Sequence, residues 1–265
     1  MTRQPTIYLP HGAGPCFFMD WTMGPPGTWK RTEAWLRALP GTLPAEPAAL
    51  LVVSAHWEEP QPTLLTSAAP GLRYDYSGFP PHTYELTWPA PGAPDLADRV
   101  ARLLGAGGIA TGGTDRRGFD HGTFIPLKVA WPTPTIPTAQ LSLVSGLDPT
   151  LHLAIGRALA PLRDEGVLIV GSGMSFHNMR GFGRPAAAAA SGTFDAWLEG
   201  VLAAPEGRDR ALTDWTAGPQ ARWCHPREEH LLPLHVAAGA AGDDPGRIVF
   251  RDEVLGATVS AARFG

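Results

Sequence analysis

Cysteine is nearly missing from this chain of 265 residues. Only Cys16 and Cys224 are present, which excludes a disulfide framework and makes the reducing cytoplasm the expected compartment. Both are read as buried thiols rather than metal ligands. Charge is sparse as well, at 17% of residues, and the 21 Lys and Arg are scattered along a chain of formal net charge -4. Binding nucleic acid needs clustered cations on one face, so no nucleic-acid partner is expected. No apolar run approaches the length of a membrane span, so no membrane partner is expected either. Met1-Thr2-Arg3-Gln4-Pro5 leads straight into the first apolar run without the hydrophobic segment of a signal peptide. P-loop, dinucleotide fingerprint, nucleophile-elbow and HExxH patterns are all lacking, so no residues are assigned to a nucleotide or other organic cofactor.

What the chain does have is a globular balance, with 44% hydrophobic residues. No repeat and no shift of composition marks a boundary, and residues 1–265 are read as one α/β domain. Thr6-Ile7-Tyr8-Leu9-Pro10-His11-Gly12 is a short apolar run that stops at a histidine and turns through glycines. Leu50-Leu51-Val52-Val53-Ser54-Ala55-His56 repeats the plan, and Val167-Leu168-Ile169-Val170-Gly171-Ser172-Gly173 repeats it on the way to His177. Apolar runs of this length read as strands buried on both faces, and ligands collect at the carboxyl ends of such strands. His11, His56 and His177 therefore belong on one edge of one sheet, in a metal site.

Between these strands the pattern predicts helices over about Thr28–Leu39, Pro94–Leu104, Phe119–Trp131 and Asp148–Leu162. Thr63–Thr66 reads as an edge strand, Ala139–Val144 as a strand, and Arg247–Phe250 and Gly256–Arg263 as two closing strands. Pro185–Ala190 reads as a loop entering a helix over Thr193–Leu202, and Pro226 as the first residue of a helix carrying Glu228, Glu229 and His230. Tyr74 to Pro91 is irregular but dense in aromatics, as functional loops are.

His11 and His56 are the strongest ligand candidates, because each sits where a sheet offers a rigid anchor. Imidazole suits several transition metals, so residue type does not choose among them. His230 is taken as the third ligand, with Glu228 or Glu229 as the alternative that would complete a triad of two histidines and a carboxylate. His177 and His121 are candidates for acid-base work, since histidine ionises nearest neutral pH, or for a remaining metal position. The glycines before His177 suit either an anion-binding turn or a tight link. His225 is read as a cap or supporting group, and His82, His152 and His235 as structural or surface residues.

Pro10-His11-Gly12, Ser54-Ala55-His56-Trp57, Tyr74-Asp75-Tyr76-Ser77-Gly78-Phe79-Pro80, Pro89-Ala90-Pro91-Gly92, Asp120-His121-Gly122-Thr123, Gly171-Ser172-Gly173 with His177-Asn178, and Glu229-His230-Leu231-Leu232-Pro233-Leu234 follow one another along nearly the whole chain. In this order they resemble the class III extradiol ring-cleavage dioxygenases, in the DOPA 4,5-dioxygenase-like branch. The resemblance implies a single α/β domain with a mixed central β-sheet flanked by helices. It implies one mononuclear Fe(II) or Zn(II) held by His11, His56 and His230, with His177 as fourth ligand or acid-base residue and His121 in the substrate pocket. Its partners would be a small catecholic substrate and O2, the ring opening beside the diol, with Phe79, Tyr84 or Trp88 walling the pocket. Better-known members of the wider superfamily use glutamate where this branch has the third histidine, which leaves zinc as open as iron. A zinc hydrolase on the same scaffold is the alternative, a non-enzymatic binding protein is a third reading, and monomer and homodimer are both compatible with the sequence.

Overall fold

Leu50 to Val53 and Val167 to Val170 are apolar at every position because both faces of their strands are covered. Leu51, Val53 and Ile169 join one buried cluster, while their immediate neighbours Leu50, Val52, Leu168 and Val170 join another on the opposite face. The computed structural model describes residues 1–265. In chain order its elements are β1 (Thr6–Pro10), α1 (Lys30–Ala38), β2 (Ala49–Glu59), β3 (Thr63–Leu65), α2 (Pro94–Ala106), β4 (Gly112–Thr114), α3 (His121–Ala130), β5 (Thr138–Val144), α4 (Pro149–Leu159), β6 (Val167–Gly173), α5 (Ala186–Ala203), α6 (Pro205–Thr213), α7 (Ala221–Cys224), α8 (Leu232–Ala241), β7 (Gly246–Val254) and β8 (Ala257–Phe264).

All the strands lie in one mixed sheet of order β4-β3-β5-β2-β6-β1-β8-β7. Its centre, β5-β2-β6-β1, is parallel, and antiparallel pairs attach β3 on one side and β8 with β7 on the other. On one face Ile155 and Leu159 of α4 and Val236 of α8 pack against the sheet. Leu36 of α1 and Phe124 and Leu127 of α3 cover the other face. No helix is long and apolar enough to cross a membrane.

The starts of α3 and α4 are set by aspartates. The Asp120 carboxylate accepts from the Thr123 amide at 3.2 Å and Asp148 from the Thr150 amide at 2.8 Å, caps worth about 1 kcal/mol each.

Four expectations need correction. β3 is not an edge strand, since it lies between β4 and β5. The alanine patch is not a loop: α5 begins at Ala186, as the strong helix preference of alanine behind a proline favours. α4 ends at Leu159 and passes into a short 3-10 turn, Ala160–Arg163, rather than continuing to Leu162. The last helix begins at Leu232 and not at Pro226. Pro233 decides this, because in the first turn its missing N–H costs nothing, whereas in the interior of a helix begun at Pro226 it would clash with a preceding carbonyl. Glu228, Glu229 and His230 therefore lie in a tight turn ahead of α8, closed by the Leu231 amide on the Glu228 carbonyl at 2.8 Å.

Candidate metal centre and substrate cavity

The carboxyl edge of the parallel strands brings the histidines together. His11 follows β1 directly, and the chain then turns through Gly12 at φ 86°, a left-handed conformation that favours glycine. The His11 Nδ1–H donates to the Gly12 carbonyl at 2.8 Å, which leaves Nε2 with its lone pair. His56 lies inside β2 rather than at its end, at a point where the pairing with β5 slips between Val53 and Glu58. Such an irregularity re-aims a side chain that regular pleating would turn elsewhere.

His230 arrives from the turn before α8. Its carbonyl accepts from the Tyr8 hydroxyl at 2.7 Å and from the Met174 amide at 3.1 Å. Gly171 and Gly173 of β6 make this approach possible, since a Cβ on either would collide with the backbone of Pro233 or His230. The glycines ahead of His177 thus admit the chain that carries a neighbouring histidine, rather than opening an anion-binding turn.

The Nε2 of His56 stands 3.3 Å from that of His11 and 3.1 Å from that of His230. His11, His56 and His230 form one of the side-chain groups whose ligand atoms converge within 4.8 Å. Protons cannot satisfy this arrangement: one N–H on His56 serves only one of its two neighbours, and the other nitrogen lone pairs still face each other. A cation does satisfy it. Burial, reinforced by the neighbouring imidazoles, holds all three histidines well below the usual range, so they are neutral donors at neutral pH. Such a set fits a divalent transition metal with positions left open.

Two carboxylates stand behind the imidazoles. Asp75 accepts at Oδ1 from the His121 backbone amide at 2.9 Å and pairs with His121 Nδ1 at 2.8 Å, while its Oδ2 lies 3.7 Å from His56 Nδ1. Burial acts to raise the Asp75 pKa, but the hydrogen bonds from His121 outweigh it and bring the carboxyl down to about 2. Glu229 does the same on the other side: its Oε1 lies 3.1 Å from His230 Nδ1 and 3.2 Å from His177 Nδ1. Each carboxylate thus stands between one ligand candidate and one further histidine, with Asp75 holding the proton of His121 and Glu229 that of His230 on Nδ1. Glu228 instead pairs with Arg222 at 2.6 Å.

His177 stacks on His230 with ring centroids 3.3 Å apart, and its backbone amide donates to the Cys224 carbonyl at 3.0 Å. His121 opens α3 with its ring centroid 3.9 Å from that of His56. All five histidines line one cavity of about 420 Å³. Of the aromatics expected to wall it, Phe79 does so; Trp88 is core, packed edge-on to Phe119 with its indole donating to the Trp131 carbonyl. Tyr84 lies behind the wall, against Tyr76.

Sequence reasoning missed Asp75 and the supporting role of Glu229, and it missed Trp21 and Trp29, which also line the cavity. Asp75 lay within a quoted motif, but nothing local pointed it at a histidine 46 residues further on. His225 is buried among core side chains, its Nε2 2.9 Å from the Ser175 carbonyl, and His82, His152 and His235 lie outside the cavity.

A buried histidine cluster at the carboxyl edge of a mixed sheet, opening on an aromatic-lined cavity, defines a metalloenzyme site. The family described as the catalytic LigB subunit of aromatic ring-opening dioxygenases matches residues 5–262. The chain belongs to this family, and it is an extradiol ring-cleaving dioxygenase of the DOPA dioxygenase-like branch. It is 41% identical over 219 residues to the 4,5-DOPA dioxygenase extradiol of Beta vulgaris, covering 81% of this chain and 80% of that one. With the protein of the same name from Portulaca grandiflora it shares 44% over 207 residues, 76% of this chain and 75% of that one. The crystal structure of an uncharacterized protein from Escherichia coli K12 superposes with a TM-score of 0.78 at 28% identity, covering 99% of this chain and 100% of the other.

Proposed function

We propose that His11, His56 and His230 hold a single Fe(II), and that the protein opens the ring of a catechol related to DOPA with O2, at the bond beside the two hydroxyls. The convergence of three Nε2 atoms at the base of the cavity carries this reading. The relatives named for 4,5-DOPA support the substrate class. When bound, the metal supplies Lewis acidity toward the diol and the redox chemistry that dioxygen needs.

The chain's own residues do the rest. With its Nδ1 facing the Glu229 carboxylate at 3.2 Å, His177 presents Nε2 as a base for a hydroxyl proton of the diol and returns that proton after ring opening. His121, held the same way by Asp75, offers a second acceptor on the opposite side of the triad. The apolar walls formed by residues such as Phe79 and Trp29 orient the ring and exclude water.

The test is oxygen uptake by Fe(II)-loaded and Zn(II)-loaded protein with a panel of catechols, following the visible absorbance of the ring-opened semialdehyde. Uptake with iron alone, and only in air, is expected. Failure to consume oxygen with any catechol, joined to anaerobic ester or amide cleavage by the zinc form, would return the hydrolase reading.

A further inference from the structure

Beyond its histidines, the cavity changes character. None of its 19 lining residues is Asp, Glu, Lys or Arg. The walls away from the histidines include Trp21, Trp29, Met174, Phe182 and Leu255. Tyr76 brings a hydroxyl, but that group already donates to the Thr83 carbonyl at 2.6 Å. The exposed large apolar side chains of the molecule are Met1, Met23 and Met179, and the last two line this cavity while standing 51% and 67% exposed. They therefore form part of its rim. Exposed methionine at the mouth of an apolar cavity is a flexible surface that adapts to an apolar guest.

We propose that the preferred substrate is a catechol bearing an uncharged, apolar substituent that runs from the histidine end of the cavity out between Met23 and Met179. This rests on the catechol reading above and narrows it. At about 420 Å³ the cavity lies within the span of about 300–1,000 Å³ typical of sites that enclose a drug-sized ligand, which leaves room for a ring and its substituent. An ammonium or carboxylate on that substituent would lose its water against indole, phenyl and thioether groups and meet no opposite charge. An alkyl or aryl group would gain from the same walls, in proportion to the area it removes from water. The amino-acid side chain of DOPA is thus poorly matched to this cavity, although the family reading brings DOPA first to mind.

The experiment is anaerobic titration calorimetry of the metal-loaded protein with 4-methyl-, 4-propyl- and 4-hexylcatechol, and with DOPA and 3,4-dihydroxyphenylpropionate. Affinity is expected to rise about fourfold per methylene along the alkyl series, with an increasingly negative heat-capacity change. DOPA and the carboxylate should bind at least about tenfold more weakly than 4-propylcatechol, the direction expected when a charge is desolvated unpaired. The double variant Met23→Lys, Met179→Lys should flatten the chain-length trend and favour the carboxylate over 4-propylcatechol; both positions are exposed, so the fold tolerates the change. Catechols that bind with no dependence on chain length, or DOPA binding more tightly than 4-propylcatechol, would overturn the apolar-substituent proposal while leaving ring opening intact. Absence of binding by every catechol to protein that holds its metal would overturn the catechol reading itself, and this proposal with it.

Discussion

His11 and His230 are no more buried than His152, His225 and His235, yet the two sets do different things. His152 sits between the Asp148 carbonyl, 2.7 Å from its Nδ1, and the Val144 amide, 3.2 Å from its Nε2. Both ring nitrogens are satisfied by main chain in one neutral tautomer. His235 places Nε2 2.9 Å from the Leu212 carbonyl, and His225 places its Nε2 at the same distance from Ser175. In the site, by contrast, only Nδ1 looks toward an oxygen, and Nε2 looks at another histidine. Burial therefore does not separate ligand from scaffold. What marks the ligand candidates is a ring nitrogen that faces another imidazole.

The sharpest way to break this comparison is to remove one histidine of each kind. His11→Ala, His56→Ala and His230→Ala should each lower oxygen uptake with a catechol to background while leaving the circular dichroism spectrum largely unchanged. His152→Ala should keep uptake and lower stability by about 1–3 kcal/mol, the usual scale for loss of a buried, bonded side chain, read as a shift in the urea midpoint. A smaller effect is expected at His177, which flanks the triad: His177→Phe should retain metal and lose about 10²–10⁴-fold in turnover, the range for a general base. If that variant loses metal as fully as His11→Ala, His177 is a ligand and the base belongs at His121.

Asp75→Asn should weaken metal retention against a chelator by about 10–100-fold, as loss of a supporting carboxylate does. The smallest effect is on the scaffold histidines and is seen in pH. Burial brings His225 and His235 down to about 4, against an unfolded value of about 6.5. Between these values the unfolded chain binds protons that the folded chain refuses, so stability should fall as pH drops from about 6.5 toward 4. Urea midpoints across that window, compared with a His225→Gln variant, check it; the variant should show a shallower fall.

Much of the fold was legible because it rests on local pattern. The doubly buried strands, the start of α2 behind Pro94 and the glycine turn after His11 each announce themselves in a few adjacent residues. β4 does not, since Gly112-Gly113-Thr114 has no apolar signal and becomes a strand only by lying against β3. The start of α8 was misread because Pro226 and Pro233 both suit a first turn, and the weight of Pro233, which would have stood in the interior of a helix begun at Pro226, was overlooked. In the site, the order of motifs singled out His11, His56, His121, His177 and His230, and the structure gathers them around one cavity. Asp75 and Glu229 were opaque because their roles are pairings with other histidines, and the apolar rim at Met23 and Met179 brings together segments more than a hundred residues apart.

The most direct test of the central claim, that three facing Nε2 atoms hold one metal, is the metal content of purified protein by inductively coupled plasma mass spectrometry after equal exposure to Fe(II) and gel filtration. Wild-type protein and His152→Ala should carry a single metal per chain, and the His11→Ala, His56→Ala and His230→Ala variants should carry almost none. Full occupancy in two of those three variants would contradict the account.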